Sequence, residues 1–260
     1  MSSITLDSII KGVEEGPIDI VLYGGESVGK THTACQAEGV IVVDLENGAP
    51  MENVQKIPLY DKDVSFKDCL QALRVIYEHH KKLGVKTVVV DSFDWIQNLI
   101  DKEVCAARNI KHISDLPFGQ GYAMTADKAT DFLNGLDSLK VLGLNIIVIC
   151  HSDVRKVDDP MHDEYEIIDC KLHKRVGLLL KEWTSILAYC EFETKLQAKG
   201  QRFGKTINRA VRTGKRIMHT VTSTGFVAKS RYPLPSPLPL DWKVLTDEIN
   251  KIRKGVTNEN

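Results

Sequence analysis

Eight consecutive residues, Gly24-Gly25-Glu26-Ser27-Val28-Gly29-Lys30-Thr31, carry the most specific chemistry in the sequence. They fit the phosphate-loop pattern G-x-x-x-x-G-K-[ST], between an apolar run, Ile18 to Tyr23, and a stretch that reads as a helix. Each residue type has a physical reason. Glycines let backbone N–H groups approach a phosphate, and a helix N-terminus adds positive partial charge. The Lys30 ammonium reaches the β and γ oxygens, and the Thr31 hydroxyl ligates Mg²⁺. Gly24, Gly25, Glu26, Ser27, Val28, Gly29, Lys30, Thr31 and His32 are the expected nucleotide-binding residues. The competing reading, an ordinary glycine-rich turn, is the weaker one because strand and helix flank the pattern as the chemistry requires.

Further polar groups end apolar runs. Thr87-Val88-Val89-Val90-Asp91 closes in a carboxylate, the Walker B arrangement, which makes Asp91 with Thr31 the expected metal site. Taken alone, Asp91 reads equally well as a cap for the next helix. Asp44 and Glu46 lie two residues apart at the end of Val40 to Val43, on one face of an extended chain, where a carboxylate can activate water. Their bland alternative is a pair of solvated acids. His151 follows the run Asn145 to Cys150, placed to sense a phosphate or to serve as a structural hydrogen bonder. Lys229 and Arg231 project together, which suits a finger inserted into a neighbouring subunit's phosphate site, or a solvated edge. An Asn-Lys-x-Asp base reader and an Arg-rich kinase lid are not apparent.

Positioning these groups takes strands buried on both faces and helices that cover them. The runs IDIVLY, VIVVD, TVVVD, NIIVIC and SILAYCEF are short, rich in Val and Ile, and mostly unbroken by polar alternation. Between them, Phe66 to Leu83 and Thr125 to Leu142 place apolar residues at helical spacing. Strand alternating with helix predicts an α/β fold with a mainly parallel central sheet. After Glu191 the texture changes: Thr213-Gly214-Lys215 reads as a turn between β-prone segments, Pro233 to Pro239 as a proline-rich strap, and Trp242 to Lys254 as a final helix. The expected layout is a core over 1–240 carrying a C-terminal β-hairpin, then a helix and tail over 241–260. At 260 residues, 43% hydrophobic and 27% charged, with a formal net charge of −1, the chain is neither a disordered acidic polymer nor a globally basic binder. Six cysteines without a C-x-x-C pair suit a reducing cytoplasm. MSSITLDSIIKGVEEG has no leader pattern, and no apolar run approaches a membrane span.

In the order GGESVGKT, VVDLENG, TVVVDS, IIVICHSD and AKSRYPLP, over Asp19 to Pro235, the motifs resemble those of the RecA-like recombinase ATPases. The resemblance is strongest to short phage proteins of the single-strand-annealing recombinase group, known generically as phage AAA-type nucleotide-binding proteins. It implies a P-loop NTPase with a RecA-like core, ATP and Mg²⁺ as cofactors, and a homo-oligomer, ring or filament. Its catalytic candidates are Lys30, Glu46 as the catalytic glutamate, His151 where RecA carries a γ-phosphate-sensing glutamine, and Lys229 with Arg231 as cations reaching a neighbour's ATP. Three departures stand: histidine for that glutamine, arginine for one lysine, and no counterpart of RecA's N-terminal oligomerisation region or C-terminal domain.

From Thr194 to Leu240 there is no Asp or Glu, while Lys195, Lys199, Arg202, Lys205, Arg209, Arg212, Lys215, Arg216, Lys229 and Arg231 are cationic. Attraction to a phosphate backbone is the simplest use of such a segment; a hairpin whose charge is offset by Asp158, Asp159, Asp163 and Glu164 is the alternative. Two loops could contribute: Lys111 to Tyr122, with Phe118 and Tyr122 as stacking candidates, and the stretch after His151 through Arg155, Lys156, Lys171, Lys174 and Arg175. The expectation is a DNA-dependent ATPase of recombination or repair acting on single-stranded DNA by annealing or strand exchange. A single-stranded-DNA-binding protein is a candidate partner, and no membrane is expected. The alternatives are a regulatory or assembly ATPase with a protein partner, and a helicase-like motor.

Overall fold

The computed structural model describes residues 16–49, 53–158, 163–202 and 205–255, with positions 196–210 described by backbone alone. The N-terminal stretch read for a leader, Asp159, the last five residues and the side chains of Lys199, Arg202, Lys205 and Arg209 lie outside the described residues. In chain order the elements are β1 (Asp19–Gly24), α1 (Lys30–Cys35), β2 (Val40–Asp44), β3 (Gln55–Pro58), α2 (Phe66–Leu83), β4 (Thr87–Asp91), α3 (Phe93–Arg108), α4 (Gln120–Val141), β5 (Asn145–Val157), β6 (Tyr165–Cys170), α5 (Lys174–Trp183), β7 (Ile186–Arg202), β8 (Lys205–His219), β9 (Lys229–Ser230), β10 (Leu238–Pro239) and α6 (Trp242–Arg253).

The sheet runs β10-β8-β7-β1-β5-β4-β2-β3, with β6 on β5 and β9 on β7. From β7 through β3 every neighbouring pair is parallel, whereas β8, β10, β6 and β9 pair antiparallel. The unbroken apolar runs are explained by burial on two sides. Val21 and Tyr23 of β1 face one core with Val88, Val90, Ile146 and Val148, while Ile20 and Leu22 face a second with Val89, Ile147 and Ile149. Helices α2 to α5 cover the first face, and α1 and α6 cover the second. The Tyr23 hydroxyl, inside the first core, donates to the carbonyls of Ile168 at 3.2 Å and of Val227. Burial and the nearby Cys170 and Asp169 drive its pKa far above the tyrosine range.

Three readings change. The helix expected from Thr125 begins earlier, at Gln120. The turn expected at Thr213-Gly214-Lys215 is a bulge inside β8. Pairing passes from Phe192↔Arg216 to Thr194↔Arg212 across it, Gly214 takes φ +84°, and the Thr213 hydroxyl donates to Glu193 at 2.7 Å. Strands β7 and β8 therefore form one long two-stranded arm, running well past the apolar residues that announced β7. The third concerns the terminal helix. Asp241 caps α6 by accepting from Val244 N at 2.9 Å, and Trp242, Leu245 and Ile249 enter the second core. The expected boundary at 240/241 thus falls within one packed unit. Among the described residues no helix is long and apolar enough to cross a membrane, and Cys69, Cys105, Cys150, Cys170 and Cys190 are free thiols.

If α6 is part of that unit, Leu245→Ala should lower the stability of the whole chain by about 2–5 kcal/mol. Urea unfolding followed by tryptophan fluorescence and by circular dichroism should shift as one transition; separate loss of α6 would show it to be an appendage.

Candidate nucleotide-binding site

The phosphate loop leaves β1 at Gly24 and enters α1 at Lys30. Two of its glycines are obligatory for different reasons. A Cβ on Gly24 would lie 2.2 Å from the Cys190 carbonyl oxygen of β7, and Gly29 holds φ +101° with a would-be Cβ 2.7 Å from Arg216 Nη1. Val28 anchors the loop by burying its side chain in the second core, so it can offer a ligand only backbone. Gly25, Glu26, Ser27 and His32 are exposed. Within the loop, the 6% exposed Lys30 ammonium donates to the carbonyls of Gly24 at 3.0 Å and Gly25 at 2.8 Å. Among the described residues no carboxylate pairs with it, so its unmatched charge faces a cleft of about 500 Å³ lined by Ser27, Gly29, Thr31, Glu46, Asp91, His151 and Arg216. A buried, unpaired ammonium under backbone amides suits a polyphosphate.

Across the cleft the Thr31 hydroxyl donates to Asp91 Oδ2 at 2.8 Å. Burial raises the Asp91 pKa to about 6; the Thr31 hydrogen bond opposes this, and the charges of Glu46 and Asp44 reinforce it. A carboxylate destabilised in this way beside a hydroxyl fits a divalent cation, whose charge would restore the ionised form. Gly48 keeps the approach open, since a Cβ there would sit 2.7 Å from Asp91 Oδ2.

The two acids at the end of β2 divide their work. Asp44, 1% exposed, accepts from the backbone N–H of Glu46 at 3.3 Å and of Gly48 at 3.0 Å, so it shapes the loop. Glu46 faces the cleft, accepts from the Ser92 hydroxyl, and has a pKa raised chiefly by burial. His151 ends the apolar part of β5 beside it. Its Nδ1 lies 2.9 Å from Asp94 Oδ2 and 3.7 Å from Glu46 Oε1, and its backbone N–H donates to Asp94 Oδ1 at 3.1 Å. Ligating atoms of Glu46, Asp94 and His151 gather within 4.8 Å of one another. The Asp94 hydrogen bond raises the imidazole pKa against the opposing effect of burial. Burial pushes the Asp94 carboxyl up, but hydrogen bonding to His151 and its charge leave the net shift downward. His151 is thus oriented by Asp94 through Nδ1 and stands beside Glu46, 3.7 Å from that carboxylate and beyond direct hydrogen-bond reach.

Lys229 and Arg231 lie elsewhere. Lys229 pairs with Leu187 and Ser230 with Ile186, at the start of β7, whereas Gly24 pairs with Cys190 farther along that strand. Lys229 Nζ donates to the Lys181 carbonyl and Arg231 Nη2 to the Glu182 carbonyl at 3.2 Å, so the two cations cap the C-terminal turn of α5. Burial and the neighbouring Arg231 lower the Lys229 pKa. The carbonyls left over by α5 hold both side chains, away from this chain's own phosphate loop. Of the loop candidates, Phe118 is 97% exposed with φ +55°, while Tyr122 packs edge-on against His173 at 5.0 Å. Arg155 is tied to the Cys170 and Leu172 carbonyls; Lys171, Lys174 and Arg175 are exposed. Sequence reasoning missed Asp94, which a carboxylate three residues after Asp91 could have signalled, and the place of Arg216 beside Gly29.

The protein family described as AAA domain matches residues 16–232. No curated protein matches the chain. Among solved structures, the flagellar accessory protein FlaH from Methanocaldococcus jannaschii is similar over 82% of this chain and 90% of its own, at 15% identity and a TM-score of 0.39.

The Asp94–His151 pair has a defined pH signature. Because the folded imidazole pKa is raised and the Asp94 pKa lowered, the pair's contribution is present between the unfolded values of about 3.9 and about 6.5, disappearing as pH rises through the folded imidazole value or falls through the folded Asp94 value. Asp94→Asn should bring the His151 imidazole titration, followed by NMR, back toward about 6.5. Its stability deficit in urea should be largest near pH 6 and shrink toward pH 9. A deficit independent of pH would show that the two side chains do not share charge.

Proposed function

The chain belongs to the AAA domain family, a family of P-loop ATPases that bind nucleotide, and from that premise we propose that it is a RecA-like ATPase acting on single-stranded DNA in recombination or repair. The observation that carries this reading is continuity between the nucleotide site and a basic arm. Strand β7 borders the phosphate loop, with Cys190 paired to Gly24, then runs on to Arg202. Strand β8 returns through Arg212 to Arg216 beside Gly29. No acidic residue occurs in the sequence along that course after Glu193, and a run of one charge sign continuous with the nucleotide site suits attraction to a phosphate backbone.

In this reading Lys30 and the loop amides hold the phosphates of ATP, and Thr31 and Asp91 hold Mg²⁺, which would supply positive charge at the β and γ oxygens. Glu46, its proton affinity raised by burial, takes the proton of the attacking water. His151, oriented by Asp94, stands beside Glu46, and the Ser92 hydroxyl holds that carboxylate in place. The protein works as a homo-oligomer, annealing strands or exchanging them, and Lys229 and Arg231 are its candidates for a neighbour's ATP. To reach it they must leave the carbonyls of α5.

ATP hydrolysis measured with and without single-stranded DNA, at low and high salt, tests the reading. Stimulation by DNA that fades as salt rises is expected, together with loss of turnover in Lys30→Ala by about a hundredfold or more. Turnover indifferent to DNA would overturn the DNA assignment in favour of an ATPase that answers to a protein partner. Intact turnover in Lys30→Ala would overturn the mechanism.

A further inference from the structure

Arg216 stands apart from the other cations of the arm. It lies on the same face of β8 as Met218, one strand pleat away, and Met218 is wholly buried in the second core, to which Val28 of the phosphate loop also belongs. One pleat beyond that core, the face emerges over the loop itself. A Cβ added to Gly29 would meet Arg216 Nη1 at 2.7 Å, the guanidinium carbon at 3.3 Å and Cδ at 3.4 Å, so the side chain lies along the loop backbone immediately before Lys30. The guanidinium also sits 5.8 Å from the Phe192 ring centroid, with Arg212 at 5.3 Å from the same ring. Among the described residues no carboxylate pairs with Arg216, although Glu46 and Asp91 line the same cleft. An arginine held over a phosphate loop by an aromatic ring, with its donors unspent, is prepared to receive an anion.

We propose that Arg216 is a phosphate-contacting residue of the nucleotide site, supplied by the same chain from the root of the β7–β8 arm. This rests on the nucleotide reading given above and adds to the site a cation that the phosphate-loop pattern does not contain. The backbone on either side supports the placement. The Arg216 carbonyl accepts from Leu240 N at 3.0 Å, fixing the strand on one side, while the Thr213-Gly214-Lys215 bulge begins on the other. The cation is therefore carried on the segment tied to Leu240, below the bulge.

Equilibrium titration with the fluorescent nucleotides mant-ATP and mant-ADP tests the assignment without reliance on turnover. Arg216→Ala should weaken mant-ATP binding by about tenfold, the scale of one charge-assisted hydrogen bond, with an unchanged urea midpoint. Arg216→Lys should recover part of the loss, because it restores charge without the planar fork. Lys215→Ala removes the same charge one residue away and should leave mant-ATP affinity as it was. Wild-type affinity in Arg216→Ala, or an equal loss in Lys215→Ala, would overturn the assignment while binding lost in Lys30→Ala leaves the nucleotide reading standing. Failure of the wild-type chain to bind either nucleotide would overturn both.

Discussion

The site depends on the register with which four parallel strands arrive at one edge of the sheet. Gly24 pairs with His151 on one side and Cys190 on the other; Asp91 pairs with Asp44 and with Ile149. That alignment brings a phosphate loop, a metal carboxylate, a base and a histidine into one row, although the chain reaches them far apart in sequence. Shifting β5 by a single residue would turn His151 to the opposite face and present Cys150 or Ser152 in its place. Packing resists the shift, since a slip would carry Asn145 or His151 into a buried strand position and exchange Val148 with isoleucine between two packed cores. The hydrophobic packing of the sheet is therefore also what sets the geometry of the chemistry.

Charge is distributed across the row in a way that leaves it incomplete. The buried carboxylates Asp44, Asp91 and Asp94 are each handled differently: Asp44 by loop amides, Asp94 by His151, and Asp91 by a single hydroxyl. Asp91, the one that faces the phosphate loop, has its pKa pushed up to about 6. Opposite it the Lys30 ammonium has carbonyl partners but no counter-charge among the described residues. Burial makes both charges costly as they stand. A phosphate chain with its divalent cation supplies the opposite charge to each, which is the physical sense in which the site is built for that pair.

Much of this was legible beforehand, and the failures have a common cause. The phosphate loop, Asp91 and Glu46 could be read because a local pattern, apolar strand followed by polar tip, carries its own geometry. Asp94 was passed over because a carboxylate in the first turn of a helix has an ordinary explanation there. The K-x-R spacing of Lys229 and Arg231 says that two side chains share a face but not which end of the neighbouring strand they meet; the antiparallel pairing of β9 with β7 decides that. Thr213-Gly214-Lys215 resembles a turn because a bulge and a turn both use a glycine of positive φ, and only cross-strand pairing distinguishes them. Nor does any local signal place Arg216 near Gly29. In each case the missing information was a contact between segments remote in sequence.

The crowding of Gly24 against β7 affects how variants of this loop should be interpreted. A side chain at position 24 would strike the Cys190 carbonyl whether or not a phosphate were present, whereas one at Gly25 would meet nothing within 4 Å. Two adjacent glycines of a single motif thus answer to different selective pressures, one from the neighbouring strand and one from whatever enters the cleft. Screens that score loss of binding at both positions would report them as equivalent. Only the second could drift freely in a descendant that had given up its ligand but kept its fold.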